Sequence, residues 1–171
     1  MLGTKMEAAL NDQINAELFS SYLYLSMVAD FESKNMRGAA NWMRIQAGEE
    51  LMHATKFFDF INERSGRVVL GQIEKPKTEW DSPLAAFEDA LEHEKMISGR
   101  INDLVDLALA EKDHATNTFL QWFVTEQVEE EANAQAIVDK LKMVGDHGVA
   151  IFMVDGELGK RVAAPATDTP A

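Results

Sequence analysis

Acidic and amide side chains interrupt the apolar faces of the predicted helices at matched intervals. Glu17 and Glu50 are 33 residues apart, and so are Glu94 and Gln127. Apolar residues lie three, four or seven positions from each of them, which is the spacing of one α-helix face. The midpoints of both pairs fall beside predicted turns, so the uniform helical rise of about 1.5 Å per residue places the paired residues at equal heights. The chain is therefore expected to fold into a helical bundle in which these four polar residues meet at one level.

Apolar residues recur with the helical period in four long segments and one short segment. Thr4 and Glu7 have the spacing of a capping box at the start of the first segment. Ser82 followed by Pro83 is typical of a helix start and begins the third segment. The predicted helices cover approximately residues 4–30, 39–64, 82–110, 116–144 and 149–158.

The connections between these helices differ in length. Short turns near 34–38 and 113–116 make two antiparallel hairpins, whereas about 17 residues separate the second helix from the third. A linker of that length extends up to about 55 Å, and each long helix measures about 40 Å, so the linker can cross the whole bundle. The predicted fold is an all-α four-helix bundle with a long crossover between helices two and three and a short fifth C-terminal helix.

One domain is expected over residues 1–162, because this length can bury a single sizeable core. The segment 163–171, rich in Ala, Pro and Thr, is predicted to be a disordered tail. The apolar pattern predicts that Leu25, Phe58, Met96 and Met143 belong to the core.

Composition excludes several classes of function. The chain has no cysteine, which rules out disulfides, iron–sulfur clusters and thiol catalysis. A net charge of −13 disfavours nucleic acid and anionic membranes as partners and favours the handling of cations. The sequence shows neither a secretory leader nor an apolar run of about 18 residues, so a cytoplasmic location is expected.

Glu50 and His53 are three residues apart and therefore project from the same side of one helix. A carboxylate and an imidazole together suit iron, manganese or zinc. Glu17, Glu94 and Glu130 are expected at the same level, and four carboxylates would balance the charge of two divalent ions. An oxygen-rich site with one histidine suits iron that cycles between ferrous and ferric states, so O₂ or H₂O₂ is the expected oxidant.

These residues leave three functions open. The site could belong to an iron-storing ferroxidase, to a discrete di-iron oxidase or peroxidase that deposits no mineral, or to a bundle that binds metal without oxidising it. The second predicts a small oligomer with a substrate pocket beside the ions, and the third predicts binding without accelerated oxidation.

The sequence resembles the bacterial non-haem ferritins over about residues 1–160. The resemblance rests on Glu17 with Tyr24, the run Glu49-Glu50-Leu51-Met52-His53, Glu94, and Trp122 with the run Glu126-Gln127-Val128-Glu129-Glu130. It implies a cage of 24 identical subunits, a ferroxidase centre in each subunit, and a ferric oxyhydroxide mineral stored inside.

The resemblance also assigns residues to ions. It implies that Glu17, Glu50 and His53 hold a first iron, and that Glu50, Glu94 and Glu130 hold a second with Gln127 beside it. Tyr24 is expected to hydrogen-bond to the site or to donate an electron. A third iron site is implied at Glu49, Glu126, Glu129 and Glu130. No haem is expected, because Leu51 stands where the related bacterioferritins place a haem-ligating methionine.

Overall fold

The computed structural model describes residues 2–163. In that part of the chain it contains five α-helices, which confirms the predicted all-α class. None of these helices is long and apolar enough to cross a membrane. The predicted domain end at residue 162 stays a prediction, since the tail beyond residue 163 lies outside the described residues. The helices are α1 (Thr4–Ser33), α2 (Arg37–Glu63), α3 (Pro83–Ala110), α4 (His114–Val144) and α5 (Gly148–Leu158).

Contacts along α1 establish the direction of its neighbours. Gln13 hydrogen-bonds to Arg100, and Ser20, further along α1, hydrogen-bonds to His93, nearer the start of α3. The Leu2 amide donates to a carbonyl group at the end of α2, and Ser21, further along α1, donates to a carbonyl group nearer the start of α2. The α2 helix therefore also runs opposite to α1. Both α2 and α3 are therefore antiparallel to α1 and parallel to each other. The crossover predicted between helices two and three is confirmed.

Side-chain caps explain where α3 and α4 begin. Ser82 accepts a hydrogen bond from the Ala85 amide at 3.1 Å, as its position before Pro83 predicts. Asp113 accepts from the Thr116 amide at 3.1 Å, so α4 begins at residue 114, two residues earlier than predicted.

The predicted capping box at Thr4 is wrong. Gly3 is the N-cap of α1 and makes no side-chain cap, while its carbonyl accepts the Glu7 amide at 2.8 Å. The Glu7 carboxylate instead accepts the backbone amide of Arg67 in the crossover at 3.2 Å. A long-range backbone donor has replaced the local one as the partner of this side chain.

Asparagine side chains on α1 hold the crossover against that helix. The Asn11 amide donates to the Arg67 carbonyl at 3.0 Å and its oxygen accepts the Val69 amide at 2.7 Å. One helical turn later, Asn15 donates to the Gln72 carbonyl at 3.0 Å. Side chains therefore satisfy backbone groups that an extended segment would otherwise leave unpaired.

The apolar core consists of two clusters that lie along the bundle on either side of its middle. One cluster contains Met27 and Phe87, and the other contains Ile14, Phe57 and Phe123. The buried polar residues of the sequence analysis occupy the level between them.

Four residues predicted to be in the core are exposed, Leu25, Phe58, Met96 and Met143. Three of them directly precede or follow a buried residue, and one residue is a rotation of about 100° around an α-helix. These residues are hydrophobic, as a core requires, but the prediction that their side chains face the core was wrong.

Candidate metal centre

Carboxylates from all four long helices meet at the middle of the bundle, together with one histidine. Glu17, Glu50 and His53 are each 1% exposed, and Glu94 and Glu130 are almost as deeply buried. Gln127 donates to both the carbonyl and the Oε2 atom of Glu94, each at 3.2 Å. The two members of that 33-residue pair therefore lie at the same height, as their spacing predicted.

Glu17, Glu50 and His53 form a group that could hold one cation. One ligand atom from each lies within 4.8 Å of the other two, and His53 Nδ1 is 3.4 Å from Glu50 Oε2. Among residues 2–163, Glu17 Oε2 and His53 Nε2 are buried and find no hydrogen-bond partner. Such groups are costly to bury unpaired. A cation held by this group would satisfy Glu17 Oε2, and carboxylates with an imidazole are ligands that iron accepts, so the residues present fit a metal ion.

Glu94 and Glu130 also lie near Glu50, and their charges add to the rise in its pKa that burial causes. Tyr24, which is buried, donates its hydroxyl hydrogen to Glu94 Oε1. Gln46 donates to Glu50 Oε1 at 3.2 Å and to Glu130 Oε2 at 2.7 Å. Glu50 thus neighbours Glu17 and His53 as well as Glu94 and Glu130, and it is placed to share an ion with either pair.

Burial raises the pKa values of these acids. Burial raises the pKa of Glu17 to about 8, and the negative charge of Glu50 contributes to the increase. Burial, with the charge of Glu94 added, raises the pKa of Glu130 to about 7. The pKa values of Glu50 and Glu94 are also raised, mainly by burial. Without an ion, several of these carboxyl groups therefore carry protons at neutral pH.

The acids predicted to form a third iron site do not all lie together. Glu126 is half-buried, and burial raises its pKa, with the charges of Glu129 and Glu49 adding to the effect. It forms a possible cation group with His53 and Glu130. Within residues 2–163, Glu49 and Glu129 belong to no group close enough to share an ion. Glu49 instead pairs with Arg161, at 2.6 Å.

Of the remaining histidines, only His93 is buried near this centre, and Trp122 lies beside His53. His93 is buried, and burial lowers its pKa to about 4. Its Nε2 atom is 2.7 Å from Ser20 Oγ, so it contacts α1. His114 and His147 are exposed. Trp122 presents its ring edge-on to His53, with ring centroids 5.5 Å apart.

Two glutamines and an arginine that hold the acids were not predicted from the sequence. Gln13 donates to Glu17 at 2.8 Å, as Gln46 donates to Glu50. Each glutamine stands four residues before its glutamate, and the two are also 33 residues apart, which is a signal that the sequence contained. Arg161 had no such signal, because it follows the last helix and reaches the site only through the fold.

Comparison with known proteins gives a consistent result. A family model described as a ferritin-like domain matches residues 7–144. The bacterial non-heme ferritin of Bacteroides fragilis is 48% identical over 161 residues, covering 94% of this chain and 100% of the relative. The protein of the same name from Campylobacter jejuni is 40% identical over 155 residues, covering 91% and 93%.

Solved structures are similar over the same range. An open-pore ferritin from the archaeon Archaeoglobus fulgidus superposes with a TM-score of 0.94 at 55% identity, covering 95% of this chain and 100% of that one. A closed form of that ferritin, engineered by mutagenesis, gives a TM-score of 0.95 at 54% identity, covering 96% and 100%.

Proposed function

The chain belongs to the ferritin-like family, and on that premise we propose that it is an iron-storage ferroxidase. It oxidises Fe(II) to Fe(III) and stores the product as a ferric oxyhydroxide mineral inside a cage of 24 subunits. One observation carries the catalytic part of this proposal. Glu17, Glu50 and His53 each offer a buried ligand atom within 4.8 Å of the others, and Glu17 Oε2 has no hydrogen-bond partner among the described residues.

Two ferrous ions are the substrate of the proposed centre. Glu17, Glu50 and His53 bind the first, and Glu50, with two further acids, binds the second. Those acids are Glu94 and Glu130, and Gln127 holds Glu94 from the side. Because the four carboxylates balance the charge of two Fe(II) ions, the filled centre is neutral even though it is buried.

Each Fe(II) gives up one electron, so a pair of ions reduces O₂ to H₂O₂, or H₂O₂ to water, by two electrons with uptake of two protons. Tyr24 holds Glu94 through its hydroxyl group, so its role in this two-electron step is to position that ligand of the second ion. The protons on the ion-free acids leave when iron binds and are available to the reduced oxidant.

A third iron is proposed at Glu126, Glu129, Glu130 and Glu49. Glu126 and Glu130 already lie close to His53. Glu49 joins them only after its ion pair with Arg161 opens.

We place the protein in the cytoplasm, where Fe(II) is supplied by a reducing environment.

Gel filtration after aerobic addition of Fe(II) tests storage. Several hundred ions per cage are added, and protein and ferric absorbance are followed together. A cage of twenty-four copies of the 19.1-kDa chain is expected to elute at about 460 kDa, and the ferric absorbance is expected to elute with it. A small oligomer with about two ions per chain, or iron that precipitates separately, contradicts storage and supports the discrete oxidase.

Stopped-flow measurement of Fe(II) oxidation tests the site. Glu17→Ala and His53→Ala are expected to abolish the fast phase, because each removes a ligand of the first ion. Glu32→Ala is the matched control for Glu17, since Glu32 lies on the same helix in an exposed ion pair. Unchanged rates in both site variants would show that the ions bind elsewhere.

A further inference from the structure

Arg161 lies beyond the end of α5, and its guanidinium group reaches across to α2. Its Nη1 donates to Gln46 Oε1 at 2.9 Å, and its Nη2 donates to Glu49 Oε2 at 2.6 Å. The group stacks over the Trp42 ring, 4.4 Å from the centroid. This residue therefore contacts the polar centre although no helix of the four-helix bundle carries it.

The contact with Arg161 determines which way the Gln46 amide points. Arginine can only donate hydrogen bonds, so Gln46 must present its oxygen to Arg161 and its nitrogen to the opposite side. On that side the nitrogen donates both hydrogens, one to Glu50 and one to Glu130. A reversed amide would aim an oxygen at two carboxylates. Arg161 thus orients two ligand groups that it does not touch.

The first ligand of the centre has the same arrangement on another helix. Arg100 Nε donates to Gln13 Oε1 at 2.9 Å, and Gln13 Nε2 donates to Glu17 Oε1 at 2.8 Å. An arginine, a glutamine and a glutamate are therefore linked in the same order twice, from two unrelated parts of the chain. The repetition supports a role in the centre rather than a chance surface contact.

We propose that Arg161 is a positioning residue that controls how many cations the centre takes. It orients Gln46, and through it Glu50 and Glu130, for the second ion. At the same time it occupies Glu49, which a third ion requires. The inference rests on the proposed ferroxidase function and adds to it a link between the C-terminal segment and the ions.

The position of α5 controls the position of Arg161. The Asp155 carboxylate accepts the backbone amides of Gly38 at 3.2 Å and Ala39 at 2.8 Å, which fastens α5 to the start of α2. A Cβ atom on Gly38 would lie 1.7 Å from the Asp155 carbonyl oxygen, so Gly38→Ala must displace α5. Any displacement of α5 is expected to withdraw Arg161 and change the ion count.

Calorimetric titration of the assembled, ion-free protein with Co(II) tests this without iron oxidation. The wild-type chain is expected to bind two ions tightly and a third weakly. In Arg161→Ala the second ion should bind about tenfold more weakly and the third about tenfold more tightly, since a hydrogen bond or ion pair between charged groups is worth about that factor. Gly38→Ala should reproduce both changes.

Two further variants separate the parts of the proposal. Arg161→Lys keeps a charge beside Glu49 but lacks the planar fork that also reaches Gln46. It should leave the third ion weak and still weaken the second. Arg100→Ala should weaken only the first ion. If Arg161→Ala does not assemble, Arg161→Lys alone decides, because its two expected effects differ.

The outcomes distinguish this inference from the function on which it rests. Wild-type protein that binds no Co(II) at the buried acids would overturn the proposed centre itself. Normal wild-type binding with unchanged second and third affinities in the Arg161 variants would overturn only the role of Arg161. Equal weakening of all three ions, with loss of helical circular dichroism, would likewise overturn it and assign Arg161 to stability.

Discussion

Replacing Glu17 by glutamine is expected to stabilise the ion-free protein while removing its ability to bind the first iron. Glutamine keeps the shape of the side chain, and its oxygen can accept from Gln13 as Glu17 Oε1 does now. Its nitrogen would take the place of Glu17 Oε2, beside the Glu50 carboxylate, to which it can donate. The substitution therefore removes a buried group whose ionisation is unfavourable in the folded protein, without opening a cavity.

The size of the effect follows from the pKa of Glu17. Burial and the charge of Glu50 raise that pKa from 4.5 to about 8, so ionisation is less favourable in the folded protein. Below pH 4.5 the group is protonated in both states and contributes no penalty. As pH rises from 4.5 towards 8 the unfolded chain releases this proton and the folded chain keeps it, so stability falls. At pH 7 the loss is about 3 kcal/mol, since one pKa unit is about 1.4 kcal/mol.

Differential scanning calorimetry of chelator-treated protein measures this effect. The variant should melt about 6–12 °C above wild type at pH 7, taking about 2–4 °C per kcal/mol for a chain of this size. The difference should shrink towards zero as the pH is lowered to 4.5. Glu32→Gln, at an exposed position on the same helix, should not change the melting temperature. A gain that does not depend on pH, or a less stable variant, would refute the reasoning.

Three further predictions follow from the same contacts. Titration with Zn(II) should release more protons at pH 6.5 than at pH 9, because the raised pKa of Glu17 keeps a proton on the ion-free site below about 8, and a pH indicator measures that release. Tyr24→Phe removes the donor to Glu94, so Co(II) titration should show several-fold weaker binding of the second ion with the first unchanged; weakening of both ions would contradict the assignment. Asp113→Ala removes the cap of α4 and should lower the unfolding free energy by about 1 kcal/mol in urea, whereas Asp103→Ala, at an exposed position, should leave it unchanged.

The sequence predicted positions along the helix axis well, because the rise per residue of an α-helix is constant. Because every residue of an α-helix advances the chain by the same distance, the separation of Glu94 and Gln127 in sequence predicted that they lie at one height. The length of a linker similarly limits the distance that it can span, and it correctly predicted the crossover. Helix starts were predicted well where Ser82 and Pro83 supplied a local signal, and wrongly at Thr4, whose supposed partner Glu7 bonds to the crossover instead.

Side-chain direction was predicted less well than height. Leu25 and Met96 have the right chemistry for a core, yet they are exposed, beside the buried face of helices on which that face was otherwise predicted correctly. Composition cannot distinguish the two positions, because a shift of one residue along a helix is also a rotation of about 100°. The neighbours that bury or expose such a residue belong to other helices.

By itself, the sequence determined the helices, their order and direction, and the level at which the buried acids collect, since all of these follow from local periodicity and chain length. Only the tertiary structure decided which polar groups hold those acids and which ligand atoms are left unpaired. Gln46 meets Glu130 from 84 positions away, and Arg161 meets Gln46 from 115. Contacts at such separations depend on the packing of several helices at once, and no local spacing in the chain records them.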